Sequence, residues 1–437
     1  MLVYFKSPSP RFEYISRFLL ETLCGFDIII TYSKESFISF EGPSICYGEE
    51  QLNHRSFHIS PSGLLSERGI HQQQIKIEGW RGNKVFFLTN GNDIPFDIFS
   101  ASFFLLSRYE EYLPYNKDSY GRYSHLNSLA AKEDFLNLPM INCWAMELRR
   151  LMTRKFPGLF FHKRTFSFLP SYDIDMAWTY RTKGAMRTLA GFTRSLVKGQ
   201  WKQIAKRIDV ITGKSNDPYD VYEWLDALHL KYSLKPFYFF LLADSAMGYD
   251  TNIDPKRKEM KDLISYHSLG YHVGIHPSWQ SGDKPELLDK EIKLLRTITG
   301  SNVTMSRFHY LRFCLPQDFR KLISAGIRDD FSMGYGEING FRASVATPFP
   351  WYDLEMESVT DLIIHPFCWM DANSHYELKH TPAQAYLELK SFHDIIKRTE
   401  GEMSIISHNS FFSEEPEFEG WKEVYEIFLN EIVYWDL

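Results

Sequence analysis

Two carboxylates, Asp173 and Asp175, sit two residues apart in the run Ser171-Tyr172-Asp173-Ile174-Asp175-Met176. Like charges that close repel unless a cation lies between them. The functional reading makes one a metal ligand and the other a base; the alternative is a pair of solvated loop carboxylates. Gly270 to Trp279 carries His272 and His276. On a helix both could reach one ion, but the glycine and β-branched content reads as a strand, where four residues span roughly 13 Å. His276, just before Pro277, is then the candidate ligand, and His272 an interior hydrogen-bonded residue. Ser306 to Arg312 packs Arg307, His309, Tyr310 and Arg312 into seven positions, with Arg307 able to pair with a carboxylate of the first run. Asp329-Asp330 opens a polar loop reaching Arg342, a length often used for function. His408 ends the apolar run Ile405-Ile406-Ser407.

These residues need a scaffold that gathers them. From residue 165 short apolar runs alternate with amphipathic stretches. The runs are Thr165 to Tyr172, Pro236 to Leu242, Tyr271 to His276, Val303 to His309, Gly326 to Asp330, Asp361 to Pro366 and Glu402 to Ser407. Helices are predicted at Pro218 to Tyr232, Pro255 to Ser268, Pro285 to Thr299, Pro316 to Ser324, Thr381 to Thr399 and Glu419 to Ile432, several opening with a proline in the first turn. Strands joined by crossovers imply a parallel sheet. Asp173, Asp175, His276, His309, Asp330 and His408 fall at or just beyond strand C-terminal ends, where α/β barrels hold their chemistry. The predicted fold is α/β: a distorted seven-stranded (β/α) barrel over 161–437. An open doubly wound sheet is the runner-up, disfavoured because the first strand ends in an acidic turn with no glycine-rich phosphate loop.

The first 160 residues read as a smaller α/β domain. Short strands are expected at Phe26 to Tyr32, Ser36 to Phe40, Gln74 to Ile77 and Lys84 to Leu88, with helices at Asp97 to Tyr112 and Ile141 to Phe156. The chain has 437 residues, 44 % apolar and 24 % charged, which fits a two-domain soluble protein. A net charge of -6 without a charged tail argues against nucleic acid as a partner. Five cysteines with no CxxC pair read as reduced thiols. With no apolar leader and no stretch long enough to span a bilayer, the cytoplasm is the expected location.

In their order these motifs resemble those of polysaccharide deacetylases, carbohydrate esterase family 4. The resemblance covers about 270 residues. It implies Asp173 as general base, Asp175 and His276 as ligands of a divalent metal with zinc the expected ion, Arg307 as the group orienting the base, the Tyr310 backbone N–H as an oxyanion donor, and His408 as general acid oriented by Asp330. The implied activity is removal of acetyl groups from an N- or O-acetylated saccharide or glycan precursor. Three departures stand out. Ile174 divides the aspartates, Gln280 occupies the place of the family's second metal histidine, and His309 replaces the proline after Arg307-Phe308. One ligand lost and one gained suggest that His309 is the third metal ligand. Packing beside Tyr310 is the alternative. The N-terminal segment, with Ser102 to Tyr112, resembles an uncharacterised domain found before such barrels, which implies no activity for it.

Residues 176–214 form a basic insertion: Arg181, Lys183, Arg187, Arg194, Lys198, Lys202, Lys206, Arg207 and Lys214 against the single acid Asp209. A basic amphipathic helix can lie on a membrane surface or cap an anionic ligand; a solvated helix packed on the barrel is the alternative. Two rival functions remain open at this level: a catalytically silent saccharide-binding barrel, and hydrolysis of another C–N bond, as in allantoinase-like relatives.

Overall fold

The computed structural model describes residues 1–182, 185–244 and 248–434. The N-terminal segment holds a parallel sheet, order β2-β1-β3-β4, made of β1 (Leu2–Phe5), β2 (Ile29–Thr31), β3 (Ser44–Tyr47) and β4 (Phe57–Ile59). A hairpin of β5 (Glu78–Trp80) and β6 (Asn83–Val85) follows. The expected strand at Ser36 to Phe40 is instead the helix Lys34–Ile38. Ser33 caps it by accepting from the Ser36 N–H, and only Phe37 is buried, so the apparent alternation had no face to fill. Gln74 to Ile77 is irregular chain just before β5. The helix capped by Asp97 runs only from Ile98 to Leu106; Arg108, at φ 54°, breaks it before a single 3-10 turn. The second helix is Met140–Lys155.

The rest of the chain is built on a nine-stranded sheet. Its strands are β7 (Ser167–Ile174), β8 (Phe237–Leu241), β9 (His272–His276), β10 (Met305–Ser306), β11 (Asp329–Asp330), β12 (Phe349–Asp353), β13 (Ser358–Ile364), β14 (Trp369–Met370) and β15 (Glu402–His408). The order is β12-β13-β11-β10-β9-β8-β7-β15-β14, and every pairing is parallel except β12 with β13. All seven expected strands are present; β12 and β14 are additional. β13 pairs with β11, and the chain then crosses in residues 365–368 to pair with β15 as β14. His365 spans the same gap, with Nε2 at 2.9 Å from Asp329 and Nδ1 at 3.7 Å from Glu402.

The layers follow from patterning. In the helix Pro285–Thr299, Leu288, Glu291, Ile292 and Leu295 are buried, one face at a spacing of three and four. The strand Phe237–Leu241 is apolar throughout because a parallel sheet is covered on both sides. Gly274 in β9 is required by packing: a Cβ there would come within 2.6 Å of the Phe239 ring, the surface on which the Arg307 guanidinium lies at 4.4 Å.

The N-terminal segment and the large sheet share one continuous hydrophobic core. Polar ties reinforce it. Glu111 accepts from Arg342 at 2.8 and 2.6 Å, both side chains buried, and Glu400 accepts from Arg149 at 2.9 and 2.7 Å. The basic insertion is a helical hairpin, Ala185–Val197 and Trp201–Ile211, turning at Gly199 with φ 66°. Lys183 and the side chains of Arg187 and Arg194 lie outside the described residues. Leu189, Leu196, Val197 and Trp201 are exposed, while Lys206 reaches Glu415 at 3.2 Å. Among the described residues no helix is long and apolar enough to cross a membrane. All five cysteines are unpaired.

Candidate active site

The C-terminal ends of β7, β9, β10 and β15 bring the acidic run and three imidazoles together in a cleft of about 340 Å³. Arg307 anchors its floor. Fully buried, it donates from one terminal nitrogen to Asp173 at 2.7 Å, from the other to Ser171 Oγ at 2.8 Å, and from Nε to the Phe331 carbonyl at 3.0 Å. The expected pairing with Asp173 is therefore present, and it fixes the carboxylate's orientation through a planar fork. Desolvation lowers the Arg307 pKa, with Asp173 opposing.

The three histidines are held in the same way. His276 Nδ1 meets the Arg307 carbonyl at 2.5 Å, His309 Nδ1 meets Asp250 at 2.9 Å, and His408 Nδ1 meets Asp371 at 2.7 Å. An acceptor at Nδ1 places a proton there and turns Nε2 toward the cleft. Each Nε2 faces Asp175, at 3.2 Å for His276, 3.6 Å for His309 and 3.7 Å for His408.

The three imidazoles converge on Asp175. Its Oδ1 is buried and makes no hydrogen bond. Burial would raise its pKa, but the facing His309, His276 and His408 hold it well below the usual carboxylate range. Burial opposes protonation of His309, yet Asp175 and Asp250 lift it to about 9. For His408, burial is likewise overcome, by Asp371 first and then Asp175 and Asp173, giving about 10.

Ligand atoms of Asp175, His276 and His309 lie within 4.8 Å of one another. Two ligand atoms bound at 2.0–2.2 Å around a tetrahedral ion sit about 3.3–3.6 Å apart, which matches the Asp175 contacts. One carboxylate, two imidazoles with tied Nδ1 atoms and an orphaned oxygen suit a divalent cation, and acceptors behind the imidazoles are the usual supporting groups of such sites. These residues fit the metal that the sequence implied.

Four sequence readings change or gain detail. Asp330 does not reach His408. Its oxygens take Ser306 Oγ at 2.8 Å, the Ser332 N–H at 2.9 Å and Ser332 Oγ at 3.0 Å, and burial pushes its pKa up to about 6. The reason is sheet order: β10, β9, β8 and β7 separate β11 from β15, whereas β14 pairs with β15 and is followed at once by Asp371. His272 is an exposed residue at the entry of β9, stacked on Phe237 at 4.5 Å, and not an interior one. Gln280 donates to Asp250 at 3.0 Å, the carboxylate that also meets His309 Nδ1. Tyr310 occupies the left-handed region, φ 57°, and Leu311 follows at φ 53°.

Asp250 and Asp371 are the site residues that sequence reasoning missed. Asp250 lies in the loop beyond β8 and Asp371 in the helical turn that directly follows β14, and only those positions past strand ends could have pointed to them.

Residues 1–157 match the model of a family described as a family of unknown function, DUF7033. No curated protein matches the chain. Among solved structures, a candidate polysaccharide deacetylase from Mycobacterium smegmatis is similar at 13 % identity and TM-score 0.39, covering 62 % of this chain and 85 % of its own. A polysaccharide deacetylase from Bacillus cereus is similar at 12 % identity and TM-score 0.30, covering 62 % and 89 %. A 4-alpha-glucanotransferase from Thermococcus litoralis reaches 12 % identity and TM-score 0.36, covering 62 % and 38 %. Scores this low carry no functional conclusion.

Proposed function

We propose that the chain is a metal-dependent hydrolase that removes acetyl groups from an N- or O-acetylated saccharide. The carrying observation is the convergence of three oriented imidazoles on Asp175, beside an Asp173 carboxylate clamped by Arg307. In this reading Asp175, His276 and His309 hold a divalent ion, zinc first. The fold is read as a (β/α) barrel whose last gap is bridged by the β13–β14 crossover, preceded by an N-terminal α/β domain over 1–160.

A bound divalent ion supplies Lewis acidity at the acetyl carbonyl and makes a bound water more acidic. Asp173 accepts the proton of the attacking water, with Arg307 and Ser171 fixing its position. The Tyr310 N–H, pre-set by the left-handed turn, offers a donor to the developing oxyanion. His408 carries a proton on Nε2, and Asp371 on Nδ1 keeps it aimed at the leaving amine or alcohol. Asp330 supports this frame from below, through Ser306 and Ser332, and takes no part in proton transfer.

The silent-barrel alternative rests on Gln280 and on the aspartates divided by Ile174. It weakens once Gln280 is seen bound to Asp250 while His309 presents Nε2. The exposed apolar and basic residues of the hairpin are assigned to contact with an anionic membrane surface. The functional test is metal analysis of protein purified without chelator, followed by acetate release from acetylated chitooligosaccharides. One tightly held ion with chelator-sensitive release is expected. Stoichiometric ion without release from any acetylated amide or ester would refute the hydrolase reading.

A further inference from the structure

The cleft is not built by the large sheet alone. Tyr120 and Arg122, from the segment that matches the family of unknown function, line it together with His309 and Tyr310. Arg122 is only 4 % exposed. Its Nε donates to Asp118 at 2.6 Å and its Nη1 to the Tyr310 carbonyl at 2.7 Å. Gly336 gives it passage, since a Cβ there would lie 2.0 Å from Nη1. The carbonyl it holds belongs to the first of two consecutive left-handed residues, each a strained conformation for a side-chain-bearing residue. That same turn carries His309.

Above Arg122 lies Tyr120, ring centroid 4.7 Å from the guanidinium. Tyr120 packs against Tyr310 at 5.5 Å, Tyr249 at 5.6 Å and Trp279 at 6.1 Å. Tyr249 and Tyr310 are 42 % and 37 % exposed. Four rings from four separate chain segments thus meet beside the cleft, which Tyr120 and Tyr310 line, with ring surface of Tyr249 and Tyr310 left open. The C–H face of a pyranose is apolar and covers such a surface well, while its hydroxyls stay in water.

We infer that the N-terminal turn around Tyr120 and Arg122 is a working part of the substrate cleft: Arg122 is a positioning residue that holds the His309–Tyr310 turn, and Tyr120 completes an aromatic platform for a sugar unit next to the acetylated one. This rests on the proposed saccharide hydrolase reading for the ligand's class. It gives the N-terminal segment a role in the chemistry of the other part of the chain.

Two measurements on the full chain test it, neither requiring turnover. Affinity for tetra-N-acetylchitotetraose, followed by tryptophan fluorescence, should fall about three- to ten-fold in Tyr120→Ala and stay within about two-fold in Tyr120→Phe, which keeps the ring. Zinc affinity, by titration calorimetry, should fall at least about ten-fold in Arg122→Ala and recover in Arg122→Lys, which can still donate to the Tyr310 carbonyl. Unchanged affinity in either Ala variant overturns the inference, as does a wild-type protein that binds zinc and cleaves a small acetate ester but binds no saccharide. In that last case the hydrolase reading survives. Saccharide binding that weakens in the variants without any deacetylation leaves this inference standing and removes the hydrolase reading instead.

Discussion

Replacing Asp371 by Asn isolates what holds the His408 proton. The amide keeps an acceptor for the Nδ1–H, now 2.7 Å away, but removes the charge. Both side chains are largely shielded, at 2 % and 15 % exposure. At a charge separation of about 4 Å and an effective dielectric near 20, the lost attraction is about 4 kcal/mol, equivalent to about 3 in pKa. The His408 imidazolium, lifted to about 10 in the metal-free protein, should therefore drop to about 7 in the variant. Imidazole nitrogen resonances of the metal-free proteins, followed from pH 5 to 11, measure this directly. The stability consequence has a definite direction. The folded value lies above the ordinary 6.5, so the protonated His408 stabilises the metal-free fold fully below about pH 6.5 and that contribution disappears as the pH rises to about 10. Asp371→Asn should flatten this alkaline decline. A His408 pKa that moves by less than about 1 in the variant would show that Asp175 and Asp173, not Asp371, set its charge, and would remove Asp371 from the acid's support.

Four further outcomes follow from the geometry. His309→Ala should abolish stoichiometric zinc binding with the fold retained by circular dichroism; an ion held with unchanged affinity would return the third position to another group. Because His309 stays protonated up to about 9 in the metal-free site, zinc uptake at pH 7 should release about one proton from it and tighten as the pH rises; calorimetry in two buffers of different ionisation enthalpy reads this, and zero release contradicts it. Arg307→Met leaves Asp173 as an uncompensated buried charge and should destabilise the protein by about 3–5 kcal/mol in urea unfolding, against less than about 1 kcal/mol if the pair is unimportant. Wild-type protein should co-sediment with phosphatidylserine vesicles at low salt and Lys202→Glu/Lys206→Glu should not; equal sedimentation of both would dismiss the hairpin as a membrane contact.

Much of the large sheet was readable where a strand is a short apolar run ended by a polar residue, as in β9 and β15, and where a helix opens on a proline, as at Pro285 and Pro382. β14 escaped because two residues, Trp369 and Met370, leave no pattern. β12 was missed because it is the antiparallel edge strand, in a stretch for which no element was expected. The N-terminal sheet was harder: its strands are three or four residues long, and Ser36 to Phe40 alternates like a strand while Ser33 caps it as a helix. Of the clustered Asp175, His276 and His309, His276 was singled out by its strand-end position, whereas the ligand roles expected for Asp175 and His309 came from the family resemblance and its departures. The pairing of Arg307 with Asp173 was legible, as a buried carboxylate at a strand end needs a cation nearby.

The groups behind the imidazoles were not legible, and the sheet explains why. A histidine at a strand end can present Nε2 to the cleft only if Nδ1 points sideways, toward whatever the adjacent strand or its following loop supplies. For His276 that is a main-chain carbonyl of the neighbouring β10 segment, which no side-chain motif could reveal. For His408 it is Asp371, because β14 and not β11 lies beside β15. For His309 it is Asp250, from the loop after β8, which also accepts from the Trp279 and Gln280 N–H groups and from the Gln280 side chain. That last cluster gives the Gln280 and His309 departures one physical account. An imidazole at position 280 would compete for the space and the acceptor that Asp250 now gives to His309. An amide there instead adds a donor that holds Asp250 in place.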